Sequence, residues 1–154
     1  MAGPDVKVYI PATVIAQKPQ AWDLLTPKAA VRSYLDWTSY AFRTGNSSVA
    51  TPTMTPQEEV RVDSAIQYGL ENQKLTNQEI TSLAFGRPIK RGASFLLPAK
   101  EQWKYEYRSV AQGNGVIGGP YEVSYDSTYT VVRNKKGKWI VSAVQVTQTG
   151  GTLK

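Results

Sequence analysis

The sequence contains no cysteine and no histidine among its 154 residues. Without cysteine the chain has no disulfide bond and no thiolate nucleophile, and without histidine it has no imidazole base. The usual ligands of zinc and copper are missing, and neither a Ser-His-Asp nor a Cys-His arrangement can be assembled. We therefore predict no bound metal, no cofactor and no catalytic residue.

Long apolar runs are also absent. No segment approaches the roughly 20 apolar residues of a membrane helix, and no basic segment followed by an apolar one opens the chain. Pro4, Pro11 and Pro19 instead give the start the character of a linker, so we expect a signal or membrane anchor upstream of it. The lack of cysteine fits a domain outside a bacterial membrane, and it fits a cytosolic domain equally.

The chain does contain enough apolar material for one domain. Apolar residues make up 41% of it and charged residues 19%, with 4 Trp, 9 Tyr and 3 Phe. A chain of this length buries about 70% of its unfolded surface, which supports a single core. We predict a leader or linker at 1–25 with a short strand at 5–10, one domain at 26–148 and a tail at 149–154.

Two helices have clear start signals. Thr26-Pro27 places a capping side chain before a proline at the first helical position, and Gly45 suits the left-handed stop of that helix at about Thr44. Thr55-Pro56-Gln57-Glu58 has the form of a capping box, in which Thr55 and Glu58 bond reciprocally. The second helix should extend to about Asn72, and Gly69 within it would allow another backbone to approach closely.

After the helices the apolar period changes to two, which is typical of strands. Trp103, Tyr105 and Tyr107 alternate with charged residues, as in a sheet with one wet face. The last strand has apolar residues at consecutive positions from Trp139 to Val141, so we expect it to be central in the sheet. The predicted strands are 79–86, 95–110, 120–133 and 138–148.

The net charge of +6 is unevenly distributed. All of the excess lies in residues 78–154, where it is concentrated in two segments that read as loops. These clusters could bind an acidic partner or an anionic lipid surface, but we favour the simpler interpretation that they are solvated turn residues. A specific nucleic-acid site is not expected, because no recognition motif accompanies the basic residues. The candidate patch consists of Arg87, Lys90, Arg91, Lys135, Lys136 and Lys138.

Motifs for chemistry are few. The glycine-rich segment 113–118 has the spacing of a dinucleotide loop, but a strand rather than a helix is predicted to follow it, which excludes that reading. Asp36 and Asp126 are the candidate acid–base groups, and we favour salt-bridged or solvated roles for both, with Arg32 as the partner of Asp36. Glu58 and Glu59 are explained by the helix start, where the helix dipole favours negative charge.

The aromatic residues leave two possibilities. They could line a ligand pocket, since Tyr and Trp combine apolar bulk with a polar group, or they could fill the core, which we favour. The inward positions predicted from the alternation contain almost no charged residues, so we expect an interior without proton-transfer groups. The candidate pocket residues are Trp37, Tyr40, Trp103, Tyr105, Tyr125, Tyr129 and Trp139.

The order of helices and long strands, with the segments Trp103–Tyr107, Tyr121–Asp126 and Lys138–Ser142, resembles the nuclear transport factor 2-like, or SnoaL-like, superfamily. The resemblance covers roughly residues 26–148. It implies an α+β, cone-shaped domain in which N-terminal helices pack on a curved antiparallel sheet of about four strands. Some members use the enclosed pocket for isomerase, cyclase or dehydratase chemistry, for which this chain lacks the usual Asp/His groups.

Other members are non-catalytic extracytoplasmic domains of bacterial secretion, conjugation and division proteins, and the chain resembles these more closely. We therefore expect a non-enzymatic binding or assembly domain, displayed outside a bacterial membrane, that binds a protein partner or self-associates. The alternative is a small-molecule enzyme or carrier that uses the aromatic pocket for an apolar ligand.

Overall fold

The structure, a computed structural model, describes residues 18–110 and 115–151. Within these residues two α-helices, one 3₁₀ helix and five strands follow one another along the chain. The strand predicted at 5–10 and the last three residues of the predicted tail lie outside the described residues. The elements are α1 (Pro27–Thr44), the 3₁₀ helix (Ser47–Thr53), α2 (Pro56–Glu71), β1 (Lys74–Phe85), β2 (Ile89–Arg91), β3 (Ser94–Ser109), β4 (Val116–Arg133) and β5 (Trp139–Gly151).

Helix α1 begins and ends where the sequence predicts. The Thr26 hydroxyl accepts a hydrogen bond from the amide of Ala29 at 3.1 Å, and Pro27 occupies the first turn. Gly45 has a φ of 72°, and its amide donates to the Ala41 carbonyl at 2.8 Å. Because a residue with a side chain is strained at this φ, glycine favours the stop.

Helix α2 is capped differently from the prediction. The Thr55 hydroxyl accepts from the Glu58 amide at 3.4 Å, but the Glu58 carboxylate does not return the bond, so the predicted reciprocal capping box is wrong. The Thr55 amide donates instead to the Val141 carbonyl at 3.0 Å. The start of α2 is therefore hydrogen bonded to β5, and the carboxylate of Glu58 is available to bond other side chains.

The close approach predicted at Gly69 is confirmed. A Cβ atom placed on this glycine would lie 2.9 Å from the Lys74 carbonyl oxygen, closer than a carbon normally comes to backbone. Only the absence of a side chain allows β1 to begin this near to α2. Strand β1 accordingly starts at Lys74, five residues before the predicted strand.

The strands form one curved antiparallel sheet in the order β1-β3-β4-β5. The short β2 pairs with the first residues of β3, and it was missed because three exposed residues carry no alternating pattern. Register shifts occur at Thr81, at Glu106 and at Ser142, and such bulges bend a sheet. The predicted α+β class, with helices packed on a curved antiparallel sheet, is confirmed, with five strands in the described part instead of about four.

The expected central position of the last strand is wrong, because β5 lies at the sheet edge. Its pairing shifts at Ser142, so that Val141 lies opposite Val131 while Val144 lies opposite Tyr129, and both valines face the helices. The inward valines of β5 therefore occupy an odd-numbered position before the bulge and an even-numbered position after it. The edge itself is covered where Met54 forms a parallel bridge to Val141, which explains the burial of consecutive residues there.

Helix α1 lies on the concave face of the sheet and supplies much of the core. Ala30, Val31 and Ala41 are fully buried, and they share the core with Leu97 and Val131 from the central strands. Ten of the 18 residues of α1 are buried, so this helix is enclosed on more than one side. The helix and the sheet together leave a gap on one side of α1, toward α2.

Candidate functional site

The gap is a cavity of about 230 Å³ between the two α-helices and the concave face of β3, β4 and β5. Tyr34 and Val62 approach it from the helices, while the sheet contributes most of its wall. Valines of β5 complete the wall, and Val146, which is 53% exposed, marks its edge toward solvent. The sheet residues at its centre are Glu101, Trp103, Tyr105, Tyr125 and Tyr129.

Glu101 is a carboxylate within this cavity and is only 4% exposed. One of its oxygens accepts a hydrogen bond from the indole Nε1 of Trp103 at 2.7 Å, and the other accepts from the Tyr129 hydroxyl. Two donors that each meet a different oxygen suit the ionised form, which can only accept. The arrangement holds the side chain of Glu101 in one orientation against the cavity.

The hydroxyl of Tyr129 remains a donor because of its surroundings. Burial, followed by the charge of Glu101, raises the pKa of Tyr129 well above its ordinary value of 10.0. The ring is 2% exposed and meets Tyr34 edge to face, with the ring centroids 6.2 Å apart. Tyr129 thus supports Glu101 and separates it from the neighbouring polar group.

That neighbouring group is a second buried carboxylate, which is neutralised by a cation. Glu58 is 3% exposed and accepts hydrogen bonds from the Tyr34 hydroxyl and from Arg61 Nε, the latter at 2.9 Å. Arg61 Nη2 also donates to the Tyr34 oxygen at 3.1 Å. Burial raises the pKa of Tyr34, with Glu58 as the next cause. The Arg61 side chain remains 58% exposed, so the pair reaches from the interior to the surface.

Much of the remaining sheet wall is aromatic. Trp103 and Tyr105 stack with centroids 5.8 Å apart and an angle of 21° between their planes. Burial raises the pKa of Tyr105, and its hydrogen bond with Tyr125 raises it further. The cavity therefore offers ring faces and phenol groups around one carboxylate.

The expectation of an interior without charged groups is wrong. Glu101 was overlooked, although it precedes Trp103 by two positions and so shares its face. This alternation was visible in the sequence, and the error was the assumption that a buried face carries no carboxylate. Glu58 was assigned to the helix start, and its local signal, an arginine three positions on, did not show that it would be buried.

The structure divides the seven aromatic residues predicted for a pocket. Trp103, Tyr105, Tyr125 and Tyr129 line the cavity. The other three pack elsewhere in the core. Trp37 meets Trp22 at a centroid distance of 5.1 Å and Tyr40 at 5.8 Å, and its Nε1 donates to the Gln20 carbonyl at 2.9 Å. Trp139 packs against Phe95 at 5.3 Å.

Asp36 and Asp126 lie in exposed ion pairs outside the cavity. Asp36 pairs with Arg32 one turn away at 3.3 Å, which confirms the predicted pair. Asp126 lies on the outer face of the sheet, 3.5 Å from the Lys100 ammonium. Exposed pairs of this kind contribute at most about 1 kcal/mol to stability. Within the described residues, no group of three carboxylates converges to form a metal site.

The two basic segments meet at one end of the sheet. Arg91 pairs with Ser94 at the start of β3, and the β4–β5 turn lies at the same end because β3 and β4 are antiparallel. All six side chains of the candidate patch are exposed. Lysines of the β4–β5 turn border an open groove whose other wall holds Trp22, 42% exposed, and Leu25, 69% exposed. The strand predicted at 120–133 is present as β4, but it begins four residues earlier, at Val116, within the glycine-rich segment.

The sequence matches no family model. It also has no significant match among curated proteins. Solved structures do resemble the fold, and 31 chains match it significantly. The intermembrane space region of the chloroplast protein ARC6 has a TM-score of 0.68 at 13% identity, over 85% of this chain and 100% of that chain.

Two further solved structures, from proteins of different kinds, resemble the fold. A periplasmic fragment of TraM has a TM-score of 0.55 at 12% identity, over 84% of this chain and 100% of that chain. A ketosteroid isomerase-like protein from Erwinia carotovora atroseptica has a TM-score of 0.51 at 12% identity, over 82% of this chain and 96% of that chain. The chain therefore has a fold of the ketosteroid isomerase-like, nuclear transport factor 2-like type. In the described part of the chain, no helix is both long and apolar enough to cross a membrane.

Proposed function

We propose that the chain is a non-catalytic binding domain of the nuclear transport factor 2-like superfamily, carried outside a bacterial membrane by a tethered or secreted protein. The observation that carries the binding role is the cavity, which combines aromatic walls with a hydrogen-bonded carboxylate and reaches solvent beside Val146. Most ligand sites are concave, apolar and furnished with a few fixed polar groups. The likeness to an intermembrane space region and to a periplasmic fragment supports the location.

The cavity limits what can bind in it. At about 230 Å³ it is smaller than the roughly 300–1,000 Å³ of sites for drug-sized ligands. A folded protein does not fit, but a small molecule or a side chain from a partner's segment does. The binding domain would then recognise one inserted group, and contacts around the cavity mouth would supply the remaining interface.

A matched pair of substitutions tests this role. Val146→Trp narrows the cavity from its edge, whereas Val116→Trp adds the same side chain at a site outside the cavity with nearly the same exposure, 52% against 53%. We expect Val146→Trp to abolish crosslinking of the protein to its native partner in the source cells, and Val116→Trp to leave it intact. Equal crosslinking by both variants would contradict a role for the cavity. Protease added to intact cells or spheroplasts should degrade the domain if it lies outside the membrane.

A second candidate function, a small-molecule enzyme or carrier, is favoured by Glu101. A buried carboxylate in an open aromatic cavity is a group that can accept a proton or fix a ligand. In this case turnover of a substrate would disappear in Glu101→Gln, while turnover would persist in Asp36→Asn and Asp126→Asn. A ligand that raises the melting temperature of the protein but is not converted would favour the carrier.

A further inference from the structure

The charge inside the cavity is opposite to the charge of the whole chain. The protein has a net charge of +6, but the carboxylate of Glu101 is buried without a cation. Among the described residues, Glu101 takes part in none of the ion pairs. Arg61 also lines the cavity, but it is bound to Glu58. Glu101 is thus the carboxylate that lines the cavity, and the Arg61 beside it is already paired with Glu58, which lies behind the lining.

Hydrogen bonds hold this charge in place without neutralising it. Trp103 and Tyr129 each donate one hydrogen bond to Glu101, and a carboxylate has about four acceptor positions. Neither donor carries a positive charge. An ammonium group that entered the cavity could donate a charge-assisted hydrogen bond to the remaining acceptor positions of this carboxylate, which a neutral molecule of the same shape could not do.

The walls suit the same kind of ligand. Trp103, Tyr105, Tyr125 and Tyr34 contribute aromatic rings to a lining that also holds aliphatic side chains, and aromatic rings attract ammonium groups, most strongly where water is displaced. The chain already makes such contacts elsewhere, since the Lys74 ammonium lies 4.5 Å from the centroid of the Tyr107 ring. Aromatic and aliphatic walls around one carboxylate therefore suit an organic cation that has both a charged group and an apolar body.

On the basis of the proposed binding role, we propose that the cavity binds a small organic ammonium group, with its nitrogen beside the Glu101 carboxylate and its carbon atoms against the aromatic walls. A free amine and the lysine side chain of a partner segment both present this ammonium group, so both belong to the proposed ligand class. The cavity of about 230 Å³ limits the ligand to a small molecule or a single inserted side chain.

The test compares molecules that differ only in charge. Choline and 3,3-dimethyl-1-butanol have nearly the same shape, as do benzylamine and benzyl alcohol, and each pair is titrated by calorimetry and by thermal shift into the wild-type chain. We expect the ammonium member of at least one pair to bind about tenfold more tightly than its neutral counterpart. The peptide acetyl-Gly-Lys-Gly-amide, whose ends are blocked, presents only the lysine ammonium, and comparison with its Nε-acetylated form and with the free amines distinguishes a partner's lysine from a free amine.

Two variants connect the effect to the proposed site. Glu101→Gln keeps the side-chain size and removes the charge, and it should lose the preference for the ammonium member. Glu122→Gln removes the same charge from an exposed position on the outside of the sheet and should retain the preference. If Glu101→Gln does not fold, the wild-type comparison of charged and neutral molecules still decides the question.

Three results would overturn the proposal. Equal binding of charged and neutral members shows an apolar site, and absence of binding by every ammonium probe shows that the cavity does not accept this class. An equal loss in Glu101→Gln and Glu122→Gln shows a general effect of protein charge. The proposed binding role is judged separately, because partner crosslinking in Val146→Trp does not depend on any of these probes.

Discussion

The cavity and the basic end of the sheet are two regions of opposite character on the same strands. Glu101 and Ser94 are seven positions apart on β3, which corresponds to roughly 20 Å. Around Glu101 the ionisable groups are buried and hydrogen bonded to one another, whereas the lysines of the β4–β5 turn are exposed. Changing the charged groups of the cavity should therefore alter the free energy of unfolding. The exposed lysines of the β4–β5 turn can contact a partner, and changing them should alter the stability little.

The largest expected effect that tests this contrast is alkaline destabilisation through the buried tyrosines. The pKa values of Tyr34 and Tyr129 are raised, mainly by burial, while the unfolded side chain has a pKa of about 10. Above about pH 10 the unfolded chain releases protons that the folded chain retains, so the free energy of unfolding falls as pH rises. Each tyrosine contributes a slope of up to about 1.4 kcal/mol per pH unit, and below pH 10 its contribution is fully present.

Urea unfolding at a series of pH values measures this slope. Tyr34→Phe removes one titrating group and should therefore reduce the slope by up to about 1.4 kcal/mol per pH unit. Tyr68→Phe is the matched control, because Tyr68 is 67% exposed, and it should leave the slope unchanged. Identical slopes in both variants and the wild type would show that the buried phenols are not coupled to folding.

A somewhat smaller effect is expected from the hydrogen bond between Tyr129 and Glu101. Tyr129→Phe removes one of the two donors to a buried carboxylate and should lower the free energy of unfolding by about 1–3 kcal/mol. In a Glu101→Met background Tyr129→Phe should lower the free energy of unfolding much less, because no buried carboxylate is then left without a donor. Chemical denaturation of the four chains of this double-mutant cycle gives the coupling energy, and a coupling near zero would mean that the phenol does not support the carboxylate.

The smallest effect on stability is expected at the basic end. Lys135→Gln with Lys136→Gln should change the free energy of unfolding by no more than about 0.5 kcal/mol, because both side chains are exposed. The same pair should weaken retention on vesicles containing anionic lipid, and the loss should be greatest at low salt. Lys100→Gln with Lys104→Gln removes two exposed lysines from the outer sheet face and serves as the control. Equal retention of both double variants would argue against a specific basic patch.

Local signals predicted the helices well. Thr26, Pro27 and Gly45 act within a few residues of one another, so the ends of α1 follow from short-range hydrogen bonds and backbone preference. The two-residue alternation likewise identified the long strands and the inward face of β3. Prediction failed where a long-range contact changed the local pattern, as at Ser142, where a bulge moves Val144 onto the same face as Val141.

The candidate site was predicted in part. The alternation placed Trp103, Tyr105, Tyr125 and Tyr129 on inward faces, and the structure brings these four to one cavity. Glu58 was assigned to helix capping. Its pairing with Arg61, three positions on in the same helix, is local and readable from the sequence, but no local pattern shows that Tyr34 of α1 also contacts it. Sequence alternation gives the direction of a side chain but not its partners.

The sequence by itself determined that cysteine and histidine chemistry is absent, that helices precede an antiparallel sheet, and that the excess positive charge lies in residues 78–154. These properties depend on composition and on contacts within a few residues. The expectation that both basic segments are loops was wrong for Lys90 and Arg91, which lie in β2. Only the tertiary structure decided that β5 is an edge strand, that two turns meet at one end of the sheet, and that Glu101 faces an aromatic cavity. Those outcomes depend on strand register and helix packing, which join residues far apart in the chain.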